Sequence, residues 1–296
     1  MKNLKIYLIL FAGVFALSTS AIWVRVAGAP SAVTAFYRLF ITGMVLLPFF
    51  LLSRECRQEV KRIHRKQWVQ VIAAGVFLAL HYLMWFESLN YTSTASSAVL
   101  VSLQPLFAIA LERVILKTKN SPSALLGCFI ALLGSAVIGM GDFQISGQGL
   151  LGDILAFFAA GVIALYFFIG QTARQEMSAV TYSVLSYFTS AAVLLVYILL
   201  RGDSLAGYSA QTYGAFLGLA VIATIGGQFV FNLLLKQLPA SAVTMSILGE
   251  PIGTCILAYF FLHERISLQQ LVGIVVIIGG LIIYFFFRGR NTAPET

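Results

Sequence analysis

The sequence predicts an all-α integral membrane protein whose ten transmembrane helices form two inverted five-helix repeats. Three observations carry that prediction. Hydrophobic residues fill 59% of the 296 positions and charged residues only 10%, where a soluble domain carries about a quarter charged residues. Apolar stretches of about 20 residues recur along the whole chain, each near the length that crosses a ~30 Å hydrocarbon core. The chain also matches itself when shifted by 146 residues, with glycines and prolines in register.

The spans are expected at 4–23, 33–53, 68–89, 94–116, 122–140, 150–170, 180–200, 212–235, 241–262 and 268–287. The first opens with Lys2 and Lys5 and an apolar run, as a signal peptide does. Its run reaches from Leu4 to Trp23, long enough to cross, and no clear small-residue cleavage site leads into a polar domain. It is therefore read as a retained helix. No soluble domain fits any gap, the longest being the basic stretch Arg54–Gln67. The tail, 291–296, is expected to be disordered and cytoplasmic.

Charge orients the chain. A net charge of +8 and a pI near 9.5 do not mark a nucleic-acid partner, because the basic residues lie between apolar blocks rather than on one polar domain. With the N-terminus in the cytoplasm, cytoplasmic segments hold Lys2, Lys5, Arg54, Arg57, Lys61, Arg62, Arg65, Lys66, Arg113, Lys117, Lys119, Arg174, Lys236, Arg288 and Arg290. The opposite side holds Arg25, Arg201 and Arg265, and Arg38 lies inside the second span. Cytoplasmic loops carry such an excess of Lys and Arg, so both termini are expected in the cytoplasm of a protein of the cell membrane. Cys56, Cys128 and Cys255 are far apart and lack ligand spacing, so no disulfide framework, metal or other cofactor is expected.

The 146-residue shift lays Pro105 on Pro251, Leu116 on Leu262, Gly127 on Gly273 and Gly134 on Gly280. The first repeat is then 1–146 and the second 147–290. Five helices is an odd number, so the second repeat enters from the opposite face and the pair is inverted. Inverted repeats commonly hold a substrate near the midplane and alternate its access to the two sides.

Trp23, Pro30 and Arg38, the run SLNYTSTASSAVLVSLQPLFA, and above all LKQLPASAVTMSILGEPIGTCILAYFFLHERISLQQLVGIVVIIGGLIIY carry a resemblance to the drug/metabolite transporter superfamily, in its ten-helix EamA-type branch. It covers nearly the whole chain. Glu250-Pro251, His263-Glu264, Gly273, Gly279 and Gly280 match the family pattern. The first half departs from it, with Gln104 in place of the acid of the Glu-Pro pair and Thr118 in place of the loop acid. The resemblance implies transport of small organic substrates, often exported and often amino acids or their relatives.

Candidate site residues are those that are costly inside a bilayer. An acid at a helix centre costs on the order of 2.5–3.5 kcal/mol on insertion scales, so Glu250 should face protein or water. Two accounts fit it: a proton-coupling or substrate-binding carboxylate, or an acid bonded to backbone groups freed near Pro251. Arg38 either binds an anionic substrate group or forms a structural or gating ion pair with Glu87. On span 3, His81, Trp85 and Ser88 share a face, with Tyr82 beside them; Gln228 and Asn232 share a face of span 8. These residues either line a shared cavity or bond helix to helix. Trp23 and Tyr166, on repeat-related spans, are candidate aromatic walls for an ammonium group, Trp23 equally a membrane-interface anchor. Glu112-Arg113 suits snorkelling better than a gate pair, since adjacent helix residues do not face each other.

The expected function is secondary transport of a small organic metabolite, an amino acid or related amine, with export as the expected direction and protons as a candidate coupling ion. Alternatives of the same fold are a quaternary-amine importer and an organic-anion exchanger. A membrane-embedded enzyme is not expected, because His64, His81 and His263 are scattered and no constellation for chemistry accompanies them. No GxxxxGK[ST] loop is present to drive an ATP pump. The lipid bilayer and a small-molecule substrate are the expected partners of a monomer or homodimer.

Overall fold

A computed structural model of the chain describes residues 2–92, 94–118, 121–139, 149–262 and 266–291. Ten candidate membrane spans run through it: span 1 Leu4–Ala27, span 2 Ser31–Leu52, span 3 Arg65–Ser88, span 4 Ser96–Ile115, span 5 Pro122–Gly139, span 6 Gly149–Ala173, span 7 Ala179–Arg201, span 8 Ala210–Leu234, span 9 Ala240–Phe261 and span 10 Leu268–Phe287. The expected boundaries fall within four residues of these. Apolar stretches of this length become helices because hydrocarbon offers the backbone no other hydrogen-bond partner. Large apolar side chains such as Leu52, Val114 and Leu200 stand outward, where a bilayer covers them.

Three residues outside the spans shape the connections. Ser53 and Ser178 each accept a bond from the backbone three residues on, at Cys56 and Thr181, which starts a helix. Gly202 ends span 7 at φ +73°, a left-handed conformation that favours glycine. The basic gap contains a short helix, Arg54–Arg62. The helix of span 10 extends to Asn291; the expected disorder of the tail falls on 292–296, outside the described residues, as do the loop residues His263 and Glu264.

The repeats meet most extensively where span 5 packs on span 10. A Cβ on Gly127 would lie 2.8 Å from the Gly280 carbonyl oxygen, and one on Gly134 2.8 Å from that of Gly273. Exchanging the halves turns one of these pairs into the other, since Gly127 corresponds to Gly273 and Gly134 to Gly280. The glycine register that exposed the duplication is thus the seam across its pseudo-twofold axis. Small residues there let the backbones touch, which supplies dispersion contact where lipid gives no hydrophobic drive. Gly279, beside the seam in sequence, has nothing within 4 Å of an added Cβ.

Two more breaks obey the same symmetry. Span 4 is interrupted between Thr94–Val101 and Gln104–Ile115, and span 9 between Ala240–Ile247 and Glu250–Leu262. Pro105 and Pro251 cause both: each lacks an N–H and its ring crowds the carbonyl four residues back. Span 1 is broken between Lys2–Ser18 and Ser20–Ala27, against the break in span 9, where the Ser18 hydroxyl donates to the Glu250 carbonyl oxygen at 3.0 Å. Span 8 is wound as a π-helix over Leu219–Phe229. Its Thr224 hydroxyl donates to the carbonyl of Leu219, five residues back, at 2.8 Å.

Candidate functional site

These irregular stretches converge. A cavity of about 60 Å³ is lined by Leu17 and Ser20 of span 1, Arg38 of span 2, His81, Tyr82 and Trp85 of span 3, and Val101 and Gln104 of span 4; Ile163 and Phe167 of span 6, Gln228 of span 8, and Ile247 and Glu250 of span 9 complete it. The two proline breaks therefore deliver their repeat-related residues, Gln104 and Glu250, to one space.

Arg38 is 1% exposed. Its Nε donates to Thr224 Oγ1 at 2.8 Å, and its Cζ lies 4.9 Å from the centroid of the Tyr82 ring, a cation–π contact. The expected pair with Glu87 is not formed. Glu87 accepts bonds from Asn90 at 3.1 Å and from the Tyr197 hydroxyl at 3.4 Å, so its charge is satisfied at the membrane edge by its own neighbours. Among the described residues no group donates to the Glu250 carboxylate, although Arg38 lies close enough to attract it.

His81 places Nδ1 3.1 Å from the Ala159 carbonyl oxygen. A carbonyl only accepts, so Nδ1 carries the proton and Nε2 of the neutral ring is left as an acceptor. The ring stacks on Trp85 at 5.8 Å between centroids and 22° between planes. Tyr82 and Phe167 extend this aromatic wall.

Of the residues expected to bind substrate, His81, Tyr82, Trp85, Gln228 and Glu250 thus line the cavity, and Trp23, Tyr166 and Asn232 stand apart from it. Trp23 packs its indole on Gly218 of span 8. Tyr166 donates to Asn232 Oδ1 at 3.0 Å, while Asn232 Nδ2 donates to Ser183 Oγ at 2.9 Å and to the Tyr187 hydroxyl at 3.2 Å. Span 7 supplies those hydroxyls, so the polar face of span 8 divides between cavity and helix-to-helix bonding. Ser20 and Gln104 join the cavity unexpectedly, and Arg38, for which a substrate-binding and a structural role were both open, lines it too. The 146-residue shift already mapped Gln104 onto Glu250; Ser20 carried no such signal.

Each face of the bundle is tied by side chains reaching between repeats. At the N-terminal face, Glu112, 3% exposed, accepts the Ser241 backbone N–H at 2.8 Å and its hydroxyl at 2.7 Å. It does not snorkel; it caps the start of span 9. Glu59 of the short helix caps span 7 likewise, accepting Ser178 N–H and Oγ, both at 2.8 Å. Arg174 is buried there and donates to the carbonyl oxygens of Asn232, at 2.9 Å, and Met177. Burial lowers its pKa, and the negative charge of Glu59 opposes the shift. At the opposite face, Asp153 of span 6 accepts Thr92 Oγ1 at 2.7 Å and Ser96 Oγ at 2.6 Å.

The arrangement matches known proteins. The sequence pattern of the EamA-like transporter family matches residues 4–140 and again 150–286. An uncharacterized transporter of Bacillus subtilis, YyaM, is 26% identical over 95% of this chain and 94% of its own length. An uncharacterized transporter of Archaeoglobus fulgidus is 25% identical over 90% and 91%. GDP-fucose transporter 1 of Dictyostelium discoideum is 24% identical over 68% of this chain and 55% of its own length. One crystal structure superposes with a TM-score of 0.82 at 17% identity, covering 98% of this chain and 99% of the other, and so shares the fold. With both halves matched, the chain belongs to the EamA-like transporter family.

Proposed function

We propose that the chain is a secondary transporter that moves a small amine-bearing metabolite, an amino acid or a close relative, by alternating access. In this reading both termini are cytoplasmic, export is the direction of movement, and protons are the coupling ion. The observation that carries it is Glu250: a carboxylate at a break in mid-span, on an aromatic-walled cavity between the repeats, with no described residue donating to it. A charge in that position costs on the order of 2.5–3.5 kcal/mol on insertion scales; Arg38 on the same wall offsets part of it, and a bound proton or ammonium group offsets the rest.

Ligand pockets for drug-sized molecules measure about 300–1,000 Å³, and a cavity of about 60 Å³ holds a few waters. A metabolite therefore enters only when the helices part on one side. The caps at Glu112 and Glu59 on one face and Asp153 on the other are the contacts that parting breaks. Transport then consists of releasing one set while the other holds.

The test is uptake into proteoliposomes of radiolabelled amino acids and amines, under an imposed pH gradient, by wild type and Glu250→Gln. Gradient-driven transport by the wild type that Glu250→Gln abolishes or uncouples, in a protein that melts normally, is the expected result. Full gradient-dependent uptake by Glu250→Gln would remove the coupling role. Uptake confined to organic anions would favour an exchanger, and uptake confined to quaternary amines an importer of those.

A further inference from the structure

We infer that Arg38, Gln228 and Ser20 form a carboxylate-binding subsite beside Glu250, so that the cavity takes a zwitterion in preference to a plain or quaternary amine. The inference rests on reading this cavity as the transport site.

Among the described residues, three buried side-chain polar atoms have no hydrogen-bond partner: Ser20 Oγ, Arg38 Nη2 and Gln228 Nε2. All three residues line the same cavity. Folded proteins rarely leave such atoms unpaired; three on one small space mark a place where an acceptor belongs. The three groups share a sense, since guanidinium and amide N–H groups donate and a hydroxyl can. A carboxylate, with two oxygens and about four lone-pair sites, accepts from several donors at once, and a guanidinium fork matches its plane.

The remaining contacts of Arg38 hold it in place. Its Nε is engaged by Thr224 and its face by the Tyr82 ring, and Glu87 is occupied elsewhere. The guanidinium is thereby fixed by two contacts that do not use Nη2, so the side chain itself is already ordered when the helices part and an anion reaches it. A guanidinium kept only to join span 2 to span 8 would not leave a buried donor unmatched on a cavity wall. Arg38 and Glu250 together give that wall one positive and one negative charge, which a zwitterion complements and a simple cation does not.

The test uses matched sets of an amino acid, its carboxamide and its decarboxylated amine, with propionate as a bare carboxylate. Binding to purified protein is followed by calorimetry and thermal shift, for wild type, Arg38→Gln and Gln228→Leu. The wild type is expected to bind the acid about tenfold or more tightly than its amide, the scale of one charge-assisted hydrogen bond. Arg38→Gln should erase that preference while amine binding persists. Gln228→Leu, which leaves the guanidinium in place, should reduce it, and this guards against an Arg38 variant that fails to fold. Equal binding of acid and amide by the wild type, or a preference that survives in a folded Arg38→Gln, overturns the subsite. Amines that bind with no acid preference would remove the subsite and leave the amine-transport reading standing. Propionate bound in an Arg38-dependent way, with no amino acid binding, would overturn the zwitterion preference and remove the amino-acid reading with it.

Discussion

Glu112→Gln is the substitution whose effect follows most directly from the geometry. The Glu112 carboxylate receives two donors from Ser241, at 2.8 and 2.7 Å, and is almost wholly buried. Glutamine keeps one oxygen for one donor, but its amide nitrogen then faces the other. The loss is one hydrogen bond to a charged group and the weakening of a second, about 1.5–3 kcal/mol in total. If this cap closes the N-terminal face, the ratio of open to closed protein on that face rises about ten- to a hundredfold. A cysteine replacing Ile247, on the cavity wall, reports this in a background without the native cysteines. Its rate of modification by a membrane-impermeant maleimide, applied to the N-terminal face of sealed vesicles, should increase by that factor. The rate from the other face should fall or stay constant. An unchanged rate from the N-terminal face, in a variant of lowered melting temperature, would refute the gating role and leave Glu112 a static helix cap.

Four further outcomes follow from contacts described above. Gly280→Val should lower the melting temperature sharply or abolish folding, since its Cβ meets the Gly127 carbonyl oxygen at 2.6 Å and backbone cannot yield as a side chain does; overpacking typically costs about 1–3 kcal/mol. Gly279→Ala, one residue earlier with open space around it, should melt like the parent, and a large loss there would refute the seam. Glu59→Gln should loosen the short helix Arg54–Arg62 from span 7, read as faster amide exchange in that helix with the spans unaffected. Asp153→Asn should raise labelling of the Ile247 cysteine from the face opposite the N-terminus, the mirror of the Glu112 result.

The spans and the duplication were legible because each depends on a local property. Length and hydropathy place a helix within a few residues, and Gly127, Gly134, Gly273 and Gly280 announce their own interface by falling at one offset. The breaks at Pro105 and Pro251 were readable from proline chemistry and the same offset. The cavity was only partly legible. Helical spacing puts Gln228 and Asn232 on one face, but whether each meets space or a neighbour depends on span 7, whose Ser183 and Tyr187 claim Asn232. Arg38 and Glu87 both sit toward one membrane edge, which suggested a pair. Their actual partners, Thr224 and Asn90, follow from the π-turn of span 8 and from a local bond across three residues, and neither is marked by pattern. Glu112 illustrates the same limit: an acid at a helix end reads as solvated until the start of span 9 is known to rest on it.

Two identical inverted halves would give inward- and outward-facing forms of equal free energy, and the protein would rest in neither. The cap formed by Glu112 is not repeated in the other half. Its counterpart at the 146-residue shift is Ala258, which has no carboxylate to offer the start of span 4. The start of span 4 takes its carboxylate from Asp153 of span 6 instead, so the two faces are closed by carboxylates from positions that the repeat does not relate. Gln104 and Glu250 divide the cavity by the same rule, one neutral and one acidic. In the alternating-access reading proposed above, the duplicated fold supplies the two states, and the positions at which its copies have diverged are where the two can differ in free energy.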